Sequence, residues 1–308
     1  MSGRTILVVG SAKTDLVMDV DHRPAGGETV MGSDLVTSPG GKGANQAVSA
    51  GLLGGDVSFL GCVGRDGGGQ LLRSSLAAAG VDLTHLREID APTGTAVILL
   101  TPDGENSIVV SPGANGRVRP NVAELETLWP DTAVLVVQLE IPLDTVERVV
   151  ASAAGAGVRV VLNAAPAAAL CRETLGAADP LVVNEAEAAF LLGGASRPDP
   201  TIADDLALAT ALLGLGPRSV VLTLGARGAV GVERVHGAPP RTFHVPARRV
   251  VAVDTTGAGD AFVGALAVGL ADRMDLESAV RRSTVVAAHA VTRRGAQDSY
   301  PTAAEVGA

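Results

Sequence analysis

The chain has 308 residues, of which 47% are hydrophobic, and a formal net charge of −9. That is ample material for a large core, on a length that suits two small domains or one long α/β unit. The acidic balance argues against nucleic acid or an anionic membrane as partner, and an aromatic content of 2% offers no platform for stacked bases.

In chain order, residues 6–9 form a short β-branched run that predicts a buried strand. Residues 15–36 follow with alternating character, Pro24, Gly26, Gly27 and no helical spacing, and 16–20 reads as a strand. Helical spacing appears at 44–53, a strand at 57–60 and a helix at 70–79. Residues 95–110 read as a hairpin turning at Pro102-Asp103-Gly104-Glu105, where Pro presets φ and Gly accepts positive φ. Strands at 134–137, 158–162, 181–183 and 220–224 then alternate with helices at 143–154, 185–192 and 202–215. A strand-like stretch at 249–253 precedes helices at 261–270 and 279–291. Strands without polar alternation, separated by helices, predict an α/β fold with a mostly parallel sheet covered on both faces. The two excursions at the N-terminal side, about 13–37 and 93–111, are expected to pair into a small separate sheet acting as a lid.

No basic stretch followed by a long apolar run opens the chain, and the longest apolar run, 261–271, is shorter than the roughly 18 residues of a membrane span. Cys62 and Cys171 read as two buried thiols of a reducing compartment. A cytoplasmic location is therefore expected. The five histidines have no metal-ligand spacing.

Two glycine-rich helix entries carry the chemistry. The first is Asp254-Thr255-Thr256-Gly257-Ala258-Gly259-Asp260. Gly-Ala-Gly lets successive N–H groups converge on an anion at a helix N-terminus. Asp260, in the first turn beyond, is placed to accept a proton from an attacking hydroxyl while those N–H groups stabilise charge on a phosphoryl group. An ordinary acidic residue in a first helical turn is the plainer alternative. The second entry is Gly40-Gly41-Lys42-Gly43-Ala44-Asn45-Gln46. Gly43 stands where a phosphate loop would need Ser or Thr for Mg²⁺. Lys42 and Asn45 therefore suit a polyol better than phosphates, with glycine letting the ligand approach the backbone.

These blocks, with Val137-Gln138-Leu139-Glu140, Leu162-Asn163-Ala164-Ala165-Pro166, Asn184-Glu185-Ala186-Glu187, 222–228 and 290–297, resemble the PfkB family of sugar kinases, in its ribokinase branch, nearly end to end. The resemblance implies a single three-layer αβα domain over 1–308 with a β-sheet lid, and ATP-dependent transfer of a phosphoryl group to a primary hydroxyl, O5 of ribose. It implies Asp260 as base and Gly257, Ala258 and Gly259 as anion hole. Asp15, Gly41, Lys42, Asn45 and Glu140 would hold the sugar, with Lys13 beside them. Asn184 and Glu187 would lie near the phosphates and Mg²⁺. Thr223, Leu224, Gly225, Ala226, Arg227 and Gly228 would line the nucleotide site, with Thr284 near the adenine. Asp254, Thr256, Ala290, Arg293, Gly295 and Ser299 would surround a monovalent cation, K⁺. A homodimer joined through the lids would cover their exposed edges.

The chain departs from the family at three places. Lys13 stands where Asn is usual, Ala164 where Pro is usual, and Thr284 where Asn or His is frequent. The first touches the sugar pocket and keeps 2-deoxyribose, another pentose or a nucleoside open as acceptors. A sugar-binding regulator that has kept the fold is the non-enzymatic alternative.

Overall fold

The computed structural model describes residues 5–103, 106–194 and 200–307. Strand β1 (Thr5–Val9) leads into β2 (Lys13–Asp19) and β3 (Val36–Gly40), and Gly41 starts helix α1 (Lys42–Leu52). β4 (Val57–Gly64), α2 (Gly67–Ala78), β5 (Leu86–Ile89), β6 (Gly94–Leu100) and β7 (Asn106–Ser111) follow. Alternation then sets in: α3 (Val122–Leu128), β8 (Thr132–Val137), α4 (Leu143–Gly155), β9 (Arg159–Asn163), α5 (Arg172–Ala177), β10 (Ala178–Asn184), α6 (Glu185–Leu191) and α7 (Ile202–Leu213). The chain closes with β11 (Ser219–Thr223), β12 (Ala229–Val235), β13 (Ala238–Val245), α8 (Ala258–Ala271), α9 (Leu276–Ala290) and α10 (Ala303–Val306).

Nine strands make one sheet in the order β13-β12-β11-β10-β9-β8-β1-β4-β5, parallel from β5 to β11 and antiparallel beyond. Strand side chains alternate between two separate cores. Ile6, Val8, Phe59, Val136 and Val182 pack with α1, α8 and α9 on one face. Leu7, Val9, Leu60, Leu135 and Leu181 pack with Val149 of α4 and Leu212 of α7 on the other. Both faces are covered, which is why the strands read as continuous apolar runs. Helix α8 is buried from Asp260 to Ala271. Gly264 makes its seat possible: a Cβ there would come within 2.7 Å of Ser49 Cβ and 2.6 Å of Gln46 O. α1 and α8 thus run close together, and Ser49 Oγ donates to Ala261 O at 3.0 Å.

The remaining four strands form a second sheet, β3-β2-β6-β7. β2 pairs antiparallel with β3 and parallel with β6, and β6 pairs antiparallel with β7. Two residues of the expected turn, Gly104 and Glu105, lie outside the described residues.

Two expectations fail, and one element has no counterpart in the sequence reading. Residues 249–253 are irregular, with Val251 83% exposed; the Val253 N–H donates to Val291 O at 2.7 Å, beyond the end of α9, in place of a strand partner. The β12–β13 hairpin was unforeseen, because exposed residues of β13 dilute its pattern. Cys171 is exposed and only Cys62 is buried, both as free thiols. Among the described residues no helix is long and apolar enough to cross a membrane.

Candidate active site

Parallel strands deliver their carboxyl ends to one edge, and in open α/β sheets that edge holds the ligand. Ser11 follows β1, Gln138 and Glu140 follow β8, Asn163 ends β9, Asn184 ends β10 and Thr223 ends β11. The N-termini of α1 and α8 reach the same edge, because the two helices run together.

The glycines of the first motif serve the chain's own packing. Gly41 has φ +93, and a Cβ on it would lie 2.9 Å from Lys13 N. A Cβ on Gly43 would lie 2.7 Å from Ser11 N, and one on Gly40 would strike the Asp15 carboxylate. Close approach of the 10–15 segment, more than of a ligand, therefore explains Gly40, Gly41 and Gly43. The approach brings the polar groups together: Glu140 Oε2 accepts from Ser11 Oγ at 2.6 Å and from Lys42 N at 2.9 Å. Lys13 Nζ donates to Asp15 Oδ1 at 2.9 Å, with both side chains only 12% exposed. Lys13 is not swung out into solvent.

Charges here sense one another. Asp260 most of all, and then Glu140 and Glu187, raise the pKa of Lys42 against the opposing effect of burial. Burial pushes the Asp15 carboxyl up, partly offset by Lys13, while Glu140 and Asp260 push it further. Glu187 is likewise raised by burial, against the Asn184 N–H and Lys42. The pocket thus gathers Lys13, Asp15, Lys42, Glu140, Glu187 and Asp260 from five separate stretches of chain.

Asp260 is 7% exposed, unlike a solvated first-turn acid. Asn45 Nδ2 donates to its Oδ2 at 3.0 Å and Gln46 Nε2 to its Oδ1 at 2.9 Å. Gly257 takes a left-handed φ of 73° as the N-cap of α8. Tyr300 Oη donates to Gly257 O at 3.0 Å and fixes that turn. Burial raises the Tyr300 pKa far above its usual value, helped by Asp260 and Asp15, so it remains a donor. The first helical bond runs from Ala261 N to Gly257 O at 2.8 Å, so the Gly259 and Asp260 N–H groups precede the ladder. The Ala258 N–H instead donates to Thr255 O at 3.2 Å. Around Gly259 a Cβ would meet nothing within 4 Å, so a phosphoryl group has room there.

Other expected site residues have structural partners. Asn184 and Glu187 form a reciprocal capping box on α6, at 2.8 and 2.9 Å, while Glu187 still shares the field of Lys42 and Asp260. Arg227 pairs with Glu185 at 2.7 Å and with Asp205, so its backbone, with Leu224, Gly225, Ala226 and Gly228, forms the loop after β11. Thr223 Oγ1 donates to Val183 O at 3.3 Å and Thr284 Oγ1 to Val280 O at 2.9 Å. Asp254 Oδ1 takes the Thr256 N–H and hydroxyl, and its Oδ2 takes the Gly295 N–H at 2.9 Å. Arg293 pairs with Glu305 at 2.6 Å, Ala290 ends α9, and Ser299 Oγ donates to Ala296 O. Gln46, Gln138, Gln297 and Tyr300 were not singled out from sequence, since buried amides and a lone tyrosine have no spacing signal.

A buried carboxylate beside an open helix N-terminus, facing a pocket of alternating charges at the strand ends, defines a phosphotransferase for a small polyhydroxylic acceptor. The family model of pfkB carbohydrate kinases matches residues 4–303, and the chain belongs to that family. Ribokinase of Schizosaccharomyces pombe is 40% identical over 310 residues, 98% of this chain and 96% of that one. Ribokinase of Bacillus subtilis is 40% identical over 306 residues, 98% of each chain. The structure of Arabidopsis thaliana ribokinase complexed with ribose and ATP has a TM-score of 0.88 at 32% identity, covering 99% of this chain and 98% of that one.

Proposed function

We propose that the protein transfers the γ-phosphoryl group of ATP to the primary O5 hydroxyl of D-ribose, giving ribose 5-phosphate and ADP. The observation that carries this reading is the Asp260 carboxylate, held by Asn45 and Gln46 one residue from the space over Gly259. Asp260 takes the O5 proton as that oxygen bonds to the γ-phosphorus. The bond from phosphorus to the β,γ-bridging oxygen breaks, and ADP leaves with the electron pair. The Gly259 and Asp260 N–H groups meet the equatorial oxygens, where charge is greatest.

Asp15, Asn45, Glu140 and the Gly41–Lys42 backbone hold the sugar, and the loop after β11 with Thr284 lines the nucleotide. Glu187 is the acid we place toward a divalent cation: it shares the field of Lys42 and Asp260, and one of its oxygens already caps α6 by accepting from Asn184 N. Mg²⁺ bound with ATP supplies charge neutralisation on the phosphate oxygens. Asp254 is the residue we place at a K⁺ site: its carboxylate ties the Thr256 hydroxyl and the Gly295 N–H into one turn, and the backbone carbonyls of Ala290, Arg293 and Ser299 would complete the cage. The small sheet is a lid that excludes water, the competing acceptor. Its exposed Val36, Ile108 and Val110 share by register the face that carries Asp15, which supports pairing with a second lid.

The test is a panel of ribose, 2-deoxyribose, other pentoses and nucleosides, with ATP consumption and the phosphorylated position both measured. Ribose phosphorylated at O5 with the highest kcat/KM is expected. A nucleoside or deoxysugar ranking first would overturn the acceptor assignment, and ATP binding without transfer to any of them would favour a regulator.

A further inference from the structure

The catalytic carboxylate is held by a chain of amides that the phosphoryl transfer does not itself use. Ionised Asp260 is acceptor-only, so Asn45 and Gln46 must both turn their NH₂ groups toward it. That choice dictates everything behind them. Asn45 then presents its Oδ1 the other way, and Gln297 Nε2 donates to it at 2.9 Å. Gln297 in turn presents its Oε1, which Ser75 Oγ meets. On the second branch Gln138 Nε2 donates to Gln46 Oε1 at 2.6 Å, and Gln46 Nε2 also reaches Asn163 Oδ1 at 3.0 Å. Asn163 donates onward to Val182 O at 3.2 Å.

Gln138 Oε1 is left buried without a partner, against Gly10. Turning that amide round would set two carbonyl oxygens face to face at Gln46. The direction imposed by Asp260 is thus kept even where it orphans a buried acceptor, which ordinarily costs free energy.

We propose that Gln297 is a positioning residue for the catalytic base: acting through Asn45, it fixes which amide edge faces Asp260, and Ser75 fixes Gln297. The inference rests on Asp260 being the base. It joins α2, the C-terminal loop, α1 and α8 through one line of side chains. Asn45 keeps a second Nδ2 hydrogen for the acceptor, so the same bridge aligns sugar and base together.

Gln297→Met and Gln297→Ala separate this role from packing. Met keeps the volume and the neutrality but cannot donate. Ala leaves room for a water, which can. A positioning role predicts kcat falling in the order wild type, Gln297→Ala, Gln297→Met, with the Met variant down on the order of 10²-fold. KM for ATP stays unchanged, and the Met variant melts no lower than the Ala variant. A packing residue predicts the reverse order, and turnover of Gln297→Met at or above that of Gln297→Ala overturns the proposal. Ser75→Ala provides a milder check that does not open the core: a several-fold lower kcat is expected, and an unchanged kcat counts against the relay. Asp260→Asn, assayed alongside, keeps the two readings apart. Normal turnover of that variant removes the base assignment, whereas its inactivity with a fully active Gln297→Met removes only the relay.

Discussion

At the scale of single residues, Lys13 is the departure from the family pattern that reaches the proposed sugar pocket. An ammonium has three donors and no acceptor, and one donor is committed to Asp15. That bond occupies an Asp15 oxygen to which a sugar hydroxyl would otherwise donate, whereas an Asn amide at this position adds an acceptor and releases that oxygen for the extra hydroxyl of ribose. Lys13→Asn is expected to change the ranking of ribose against 2-deoxyribose by about 1–2 kcal/mol in kcat/KM, with ribose favoured more strongly. An unchanged ranking would take Lys13 out of acceptor selection. Sequence made Lys13 and Asp15 legible as same-face neighbours in an extended segment. It did not reveal that they pair, because Lys13 has Asp15, Glu140 and solvent as equally plausible destinations until Gly40 brings the strands together. Gln297 was illegible for a related reason: its partners Asn45 and Ser75 are more than 200 residues away in the chain.

Among the elements, the root of the lid is pinned by one carboxylate. Asp66 caps α2 by accepting from Gly69 N at 2.8 Å, and it accepts from Thr93 N at 2.8 Å and Thr93 Oγ1 at 2.6 Å, just before β6. Burial opposes its ionisation, but the Thr93 hydroxyl and N–H, with Gly69 and Gly68, outweigh it and hold its pKa below 3.8. A depressed folded-state value contributes stability that is present above the unfolded one and lost as pH falls through the depressed one. Asp66→Ala should lower stability by about 1 kcal/mol at neutral pH, and the gap from wild type should close as pH falls below roughly 4. Thermal unfolding across pH measures it, and a pH-independent gap would contradict the role. The turn at Asp254 yields a second expectation: K⁺ should raise kcat by ordering the loop behind the Gly257–Gly259 turn, with little effect in Na⁺ or Li⁺. Equal rates with and without K⁺ would remove the cation from the account. Most parallel strands and helices were legible as elements because burial on both faces writes itself as unbroken β-branched runs. The β12–β13 hairpin and the 249–253 loop were not, since sheet edges obey pairing partners that lie elsewhere in sequence.

For the whole molecule, the lid face continuing from Asp15 exposes Val36 at 60%, Ile108 at 52% and Val110 at 51%. In the proposed dimer a second lid would cover this surface, so Ile108→Lys with Val110→Lys should convert that dimer to a monomer in sedimentation and raise ATP hydrolysis relative to transfer. A sedimentation profile that the pair of substitutions leaves unchanged would place any association elsewhere. Lid, sugar pocket, amide relay and helix N-terminus all converge on one carboxylate, which the sequence already singled out from its place after Gly-Ala-Gly. The most direct measurement is therefore kcat for ribose and ATP with Asp260→Asn, together with its affinity for ATP. The account predicts a fall of roughly 10²–10⁴-fold with ATP affinity preserved, the scale of a lost general base. Near-normal turnover by that variant would contradict it.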